Sequence, residues 1–142
     1  MCENNNEMVQ SIRETTRTVL IVEDCANSAA TIEMALLGIP QVSVKLAASV
    51  MEALRIMDTP NCGVQAIITD LNLPRMDGFE LIRRIRGDQR TSAMPIIVIS
   101  ADTDPETPER VARMKVDAFF AKPFSPALVR RKLEQLLGAT PP

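Results

Sequence analysis

The chain has 142 residues, 46% hydrophobic and 24% charged, with a formal net charge of -2; this is one ordinary domain with apolar material for one core and no pull toward nucleic acid or an anionic membrane. Histidine is absent, which excludes serine and cysteine triads, the usual zinc sites and phosphohistidine chemistry within this chain, and without Trp or Tyr the base-stacking surfaces are few. No run approaches the ~18 apolar residues of a membrane span, no apolar leader core opens the chain, and Cys2, Cys25 and Cys62 make neither a disulfide framework nor a zinc pattern, so the expected compartment is the cytoplasm.

Residues 1–16 are polar without a sustained period and are expected to be a flexible lead-in to a domain spanning 17–138, with 139–142 as a loose tail. Thr18 to Val22 is a β-branched and aliphatic run ending in Glu23-Asp24, which predicts a strand buried on both faces. Asn27 or Ser28 is the expected cap of a first helix with Ala30, Ile32, Met34, Leu36 and Leu37 on its apolar face, closed by Gly38 and Pro40. A strand from Val42 to Leu46 follows, then a helix capped by Ser49 with Val50, Ala53, Leu54 and Met57 inward.

The third strand, Ala66 to Thr69, stops at Asp70, and a Pro/Asp/Gly loop leads into a helix from Gly78 to Arg86. Phe79, Ile82 and Ile85 repeat at helical spacing, with Arg83, Arg84 and Arg86 expected outward. Pro95 opens a fourth strand, Ile96 to Ile99, running into Ser100; Asp104-Pro105 or Thr107-Pro108 starts a fourth helix to about Met114. Ala118 to Ala121 is the fifth strand, followed by Lys122-Pro123 and by a last helix from Ser125-Pro126 to Leu137 with Leu128, Val129, Leu133, Leu136 and Leu137 inward. The charge run Arg130-Arg131-Lys132 reads as a solvated helix face. Short apolar strands alternating with helices predict an α/β, doubly wound (βα)5 three-layer sandwich with a parallel sheet.

In such a sheet every strand points the same way, so Glu23, Asp24, Asp70, Ser100 and Lys122 should gather on one edge. Three crowded carboxylates repel and call for a cation. Oxygen ligands from Asp24 and Asp70, with Glu23 acting directly or through water, suit Mg2+ or a similar divalent ion such as Mn2+. With Lys122 and the Ser100 hydroxyl, that pocket would stabilise a phosphoryl group in transfer to a carboxylate, and Asp70 is the central one. Carboxylates beside Cys25 are expected to raise its thiol pKa and leave it inert.

The runs V-L-I-V-E-D, I-I-T-D-L-N-L-P-R-M-D-G, P-I-I-V-I-S-A and F-F-A-K-P-F occur in this order, with Ser100 and Lys122 lying 30 and 52 residues beyond Asp70. Residues 17 to 138 thereby resemble the receiver domain of two-component response regulators, a single-domain, chemotaxis-regulator-like chain. The resemblance implies a flavodoxin-like fold with strand order 2-1-3-4-5. It implies that Asp70 accepts a phosphoryl group from a phosphohistidine of a sensor histidine kinase or histidine phosphotransfer protein. Glu23, Asp24, Asp70 and the backbone carbonyl of Asn72 would hold the metal, Lys122 would pair with the acyl phosphate, and Ser100 and Phe119 would form the switch. The Lys122-Pro123 bond would be cis, and a downstream protein would meet helix four, strand five and helix five, with homodimerisation left open.

Three departures stand out, of which Ser100 in place of Thr loses only a methyl group and should be mild. Lys115 occupies a position where relatives usually have glycine, so it either takes positive φ or shifts the helix end. Phe119 lacks the hydroxyl of the Tyr found in many relatives. A haloacid-dehalogenase-like phosphatase would want a second Asp two residues after Asp70, where this chain has Asn72. A flavin or dinucleotide binder would not place Glu23-Asp24 after strand one, and an unphosphorylated scaffold would have no use for the full set of reacting groups. The expectation is therefore self-phosphorylation and self-dephosphorylation without turnover of external substrates.

Overall fold

The structure, a computed structural model, describes residues 16–138; the expected lead-in up to residue 15 and the tail at 139–142 lie outside the described residues. Among the described residues, strands and helices alternate as β1 (Arg17–Val22), α1 (Ala26–Leu36), β2 (Val42–Ala47), α2 (Val50–Asp58), β3 (Val64–Thr69), α3 (Gly78–Gly87), β4 (Ile96–Ser100), α4 (Thr107–Arg113), β5 (Ala118–Ala121) and α5 (Pro126–Leu137). The strands form a parallel sheet in the order β2-β1-β3-β4-β5. This is the flavodoxin-like arrangement that the residue pattern and the resemblance predicted.

Period-2 alternation along the central strands sorts their side chains into two cores. Val19 and Ile21, Ala66 and Ile68, and Ile97 and Ile99 face α1 and α5, where Ile32, Leu36, Val129 and Leu133 close the layer. Leu20 and Val22, Ile67, and Ile96 and Val98 face the other side, covered by Val50, Ala53, Phe79, Ile82, Ile85 and Val111 of α2, α3 and α4. Each fully buried aliphatic side chain contributes about 1.5–3 kcal/mol relative to exposure, which makes the register of β1, β3 and β4 hard to slip. No helix among the described residues is long and apolar enough to cross a membrane.

Several helix details differ from expectation. The cap of α1 is Cys25 rather than Asn27 or Ser28, and no side-chain hydrogen bond closes it. Its inner stripe is Ala29, Ile32, Ala35 and Leu36, while Ala30, Met34 and Leu37 are exposed. The helical period turns the second stripe to solvent even though both are apolar. In the same way Val129 and Leu133 lie inward in α5 and Leu128 lies half exposed.

The cap of α4 is Glu106, so neither expected pair supplies it. Instead Asp104 accepts the Glu106 N–H at 2.9 Å in the preceding turn, and the buried Thr107 hydroxyl donates to Asp102 Oδ2 at 3.2 Å. Ser49, Asp77 and Ser125 cap α2, α3 and α5 through their side chains. Arg86 is not outward: its side chain is only 15% exposed and donates to the carbonyls of Ser92, Met94 and Lys115. Lys115 takes positive φ (65°), which resolves the two readings of that position.

Candidate functional site

The sheet ladder continues one residue past three strand ends and fixes the backbone of the site. Glu23 N–H donates to Ala47 O at 2.9 Å, Asp70 N–H to Val22 O at 3.1 Å, and Lys122 N–H to Ser100 O at 2.9 Å. These residues are thus held by strands rather than by loops, as a pre-organised site requires.

Asp70 is buried, and its carboxylate is fully engaged. Oδ1 accepts the N–H groups of Leu71 at 2.6 Å and Asn72 at 3.1 Å, and Oδ2 accepts from Lys122 Nζ at 2.9 Å. The same ammonium donates to Glu23 Oε2 at 3.2 Å, and Glu23 Oε1 accepts the Cys25 N–H at 3.3 Å. One cation therefore sits between two buried carboxylates and leaves a net negative charge.

Burial and that imbalance together set the protonation equilibria. Burial foremost, and then the nearness of Asp70, pushes the Glu23 carboxyl above its ordinary value despite Lys122. For Asp70 burial is the largest single influence and would raise it, but the hydrogen bonds of Lys122, Asn72 and Glu23 and the charge of Lys122 together outweigh it and hold the carboxyl below its ordinary value. Burial alone would lower the Lys122 ammonium, yet hydrogen bonding and attraction to Asp70, with Glu23 behind it, raise it. The pocket is built to keep Asp70 ionised, as a nucleophilic carboxylate must be.

The structure brings Glu23, Asp70 and Lys122 together, with Asn72 beside them through its N–H. Asp24 is exposed and has no hydrogen bond or ion pair among the described residues. No three acidic, Cys or His side chains among those residues are grouped as a cation cage. The Lys122 ammonium bridges Glu23 and Asp70, at 3.2 and 2.9 Å.

Ser100 is fully buried at the end of β4, and its hydroxyl accepts the Asp102 N–H at 3.1 Å; no hydrogen bond joins it to Asp70 among the described residues. Phe119 is half-buried and packs against the α2–α4 core. The Lys122–Pro123 peptide bond is cis. Cys25 departs from expectation: its exposed thiol is held below its ordinary value by the nearby polar groups of Ser28, the backbone ahead of the hydroxyl, and then by the Asn27 backbone, against weaker opposing effects of burial and Glu23. Neighbouring carboxylates matter less than the N–H groups at the start of α1.

Two supporting residues escaped the sequence reading. The Thr69 hydroxyl donates to the Asp70 carbonyl at 2.8 Å and anchors the turn. At Gly78 a Cβ would lie 2.3 Å from the Asp70 carbonyl oxygen and 2.8 Å from Leu71 Cα, while its N–H bonds Leu71 O at 2.9 Å. A glycine at the first position of a helix, directly after the Asp70 loop, was the available signal of this close approach.

The model of the response regulator receiver domain family matches residues 19–134. Chemotaxis protein CheY homolog of Campylobacter jejuni subsp. jejuni is 30% identical over 120 residues, covering 84% of this chain and 92% of that protein. CheY1 of Helicobacter pylori is likewise 30% identical over 120 residues, covering 84% and 96%. The crystal structure of the receiver domain of sensor histidine kinase PA1611 from Pseudomonas aeruginosa PAO1, with a magnesium ion coordinated in its active site cleft, superposes with a TM-score of 0.75 at 28% identity, covering 87% of this chain and 98% of that one. Strand order, strand-end chemistry and the extent of these matches agree, and the chain belongs to the response regulator receiver domain family of two-component signalling.

Proposed function

We propose that this protein is a phosphorylation-controlled signalling module in which Asp70 accepts a phosphoryl group from a phosphohistidine of a sensor histidine kinase or histidine phosphotransfer protein. The observation that supports this reading best is the Asp70 carboxylate itself: it is buried, held ionised and faced by the Lys122 ammonium at 2.9 Å. As one Asp70 oxygen bonds phosphorus, the P–N bond to the donor imidazole breaks and its electron pair leaves with the nitrogen. The Leu71 and Asn72 N–H groups orient the carboxylate, and Lys122 is placed to balance charge on the acyl phosphate.

The donor set fits a hard divalent cation. Glu23 and Asp70 share one ammonium, so one carboxylate charge is uncompensated, and Asp24, next to Glu23 in the chain, and the carbonyl of Asn72, two residues past Asp70, are the further oxygens on offer. Magnesium bound there would neutralise charge on the transferring phosphoryl group. Glu23, Asp24, Asp70 and Asn72 would hold it, and Lys122 would move off Glu23 toward the phosphoryl oxygens. The magnesium in the cleft of the PA1611 receiver domain supports the same assignment here.

Ser100 leaves the Asp102 N–H to hydrogen-bond the acyl phosphate, and Phe119 follows, so the output is a changed face on α4, β5 and α5 that a downstream protein reads. No external substrate is turned over. Intact-mass spectrometry after incubation with Mg2+ and a small acyl phosphate tests the proposal. One phosphoryl group is expected on the wild type and none on Asp70→Asn. An unmodified wild type, under conditions that load a known receiver, overturns it.

A further inference from the structure

A groove of about 640 Å³ lies between the C-terminal ends of α3 and α4, at the sheet edge opposite Asp70. Of its two large apolar side chains Ile82 is wholly buried in the core and Met114 is partly exposed, and it is further lined by Arg83, Arg86, Arg113 and Lys115 with no acidic residue in the lining. The carboxylates nearby stand outside it: Glu80 pairs with Arg83 and Arg84, Glu109 with Arg113 at 2.8 Å, and Asp117 with Arg86 at 3.5 Å. The Arg83 and Arg113 pairs join exposed side chains on one helix and exchange readily for another carboxylate.

Lys115 is the residue that makes this groove unusual. It is exposed, no hydrogen bond or ion pair engages its ammonium among the described residues, and its φ of 65° is one that glycine adopts without strain. The left-handed turn closes α4, with the Lys115 N–H donating to Ala112 O at 3.0 Å and the Val116 N–H to Val111 O at 3.4 Å, and it sets a lysine at the lip of a cationic groove where glycine would serve the backbone better.

We propose that the α3–α4 groove docks an acidic, amphipathic peptide segment of a partner protein. An apolar side chain of that segment seats on the exposed part of Met114, and its carboxylates meet Arg83, Arg113 and Lys115. Charge complementarity and the partly exposed Met114 together select this occupant over a free phosphate compound. Arg86, the least exposed cation, directs its donors to the carbonyls of Lys115 at 2.8 Å, Met94 at 2.7 Å and Ser92 at 3.2 Å, so no convergent cradle of guanidinium donors remains for a small anion. The site is independent of the phosphoacceptor assignment and stands if that assignment fails.

The test titrates the full chain with a synthetic peptide of Glu-Glu-Leu repeats, followed by amide shifts in NMR. Saturable shifts are expected at residues 82–87, 92 and 113–115, in wild type and in Asp70→Asn alike. The double charge reversal Arg113→Glu with Lys115→Glu weakens binding by at least about tenfold. Lys115→Gly relieves the backbone while removing the cation, so its melting temperature rises and its affinity falls. Any of four results overturns the proposal: equal binding of Glu-only or Lys-Lys-Leu peptides, displacement by equimolar inorganic pyrophosphate, unchanged affinity in Lys115→Gly, or self-association of the chain through this groove in sedimentation.

Discussion

Lys122 lies 2.9 Å from Asp70 Oδ2 and 3.2 Å from Glu23 Oε2, and it joins two carboxylates whose side chains are almost wholly buried. Removing the ammonium leaves both unpaired. Lys122→Met is therefore expected to lose on the order of 1–3 kcal/mol in urea denaturation at neutral pH with a chelator present. Adding Glu23→Gln to that variant should recover part of the loss, because a single carboxylate then remains. A Lys122→Met protein as stable as wild type would show that the ion pairs contribute nothing net.

Gly78 is a site residue by virtue of space rather than chemistry. Alanine there would push its Cβ into the Asp70 carbonyl and Leu71 Cα, which are backbone atoms that cannot rotate away. Gly78→Ala should cost about 1–3 kcal/mol and slow phosphoryl uptake by displacing the Asp70 turn. Gly87→Ala is the control, since nothing lies within 4 Å of its added Cβ. Thermal melts and intact-mass time courses on both variants check the pair.

The acid limb of stability should show opposite slopes from the two site carboxylates. Glu23 has its folded pKa above the ordinary 4.5, so between those values the folded state binds more protons and stability rises as pH falls. Asp70 has its folded pKa below the ordinary 3.8, so its contribution is complete above 3.8 and is lost as pH falls through the folded value. Subtracting Glu23→Gln and Asp70→Asn stability curves from the wild-type curve, each measured without divalent ions, should isolate the two limbs. A Glu23 difference curve that falls with falling pH would contradict the assignment.

Arg86 is a structural arginine within a run that looks solvated. Its guanidinium joins α3 to the carbonyls of Ser92, Met94 and Lys115. Arg86→Met should cost about 2–3 kcal/mol, with amide protection lost first at residues 92–94 and 115–117. Arg84→Met, whose side chain is 51% exposed and pairs only with Glu80, should cost under about 0.5 kcal/mol. Hydrogen exchange on the two variants separates these roles.

Element order and the residues at the strand ends were legible in the chain, for a local reason, whereas the strand order came from the resemblance. A strand buried on both faces must be continuously apolar, so β1, β3 and β4 announce themselves and mark where polar residues such as Glu23, Asp70 and Ser100 emerge. Caps carried by Ser49 and Ser125 were legible too, because a side chain three residues upstream of the N–H it accepts is a short-range matter.

What depends on distant atoms was not legible. Which of two apolar stripes on α1 turns inward is set by α5 and the sheet, and Arg86 is drawn in by carbonyls up to 29 residues away. The Cys25 thiol answers to N–H groups at the start of α1 more than to the carboxylates beside it in sequence. The strand-end pattern brought Lys122, 52 residues from Asp70, to the same edge, but only packing could join its ammonium to both Asp70 and Glu23 and leave Asp24 exposed. Local pattern governs where a strand ends; the balance of charge at that end is set by what the other strands bring to it.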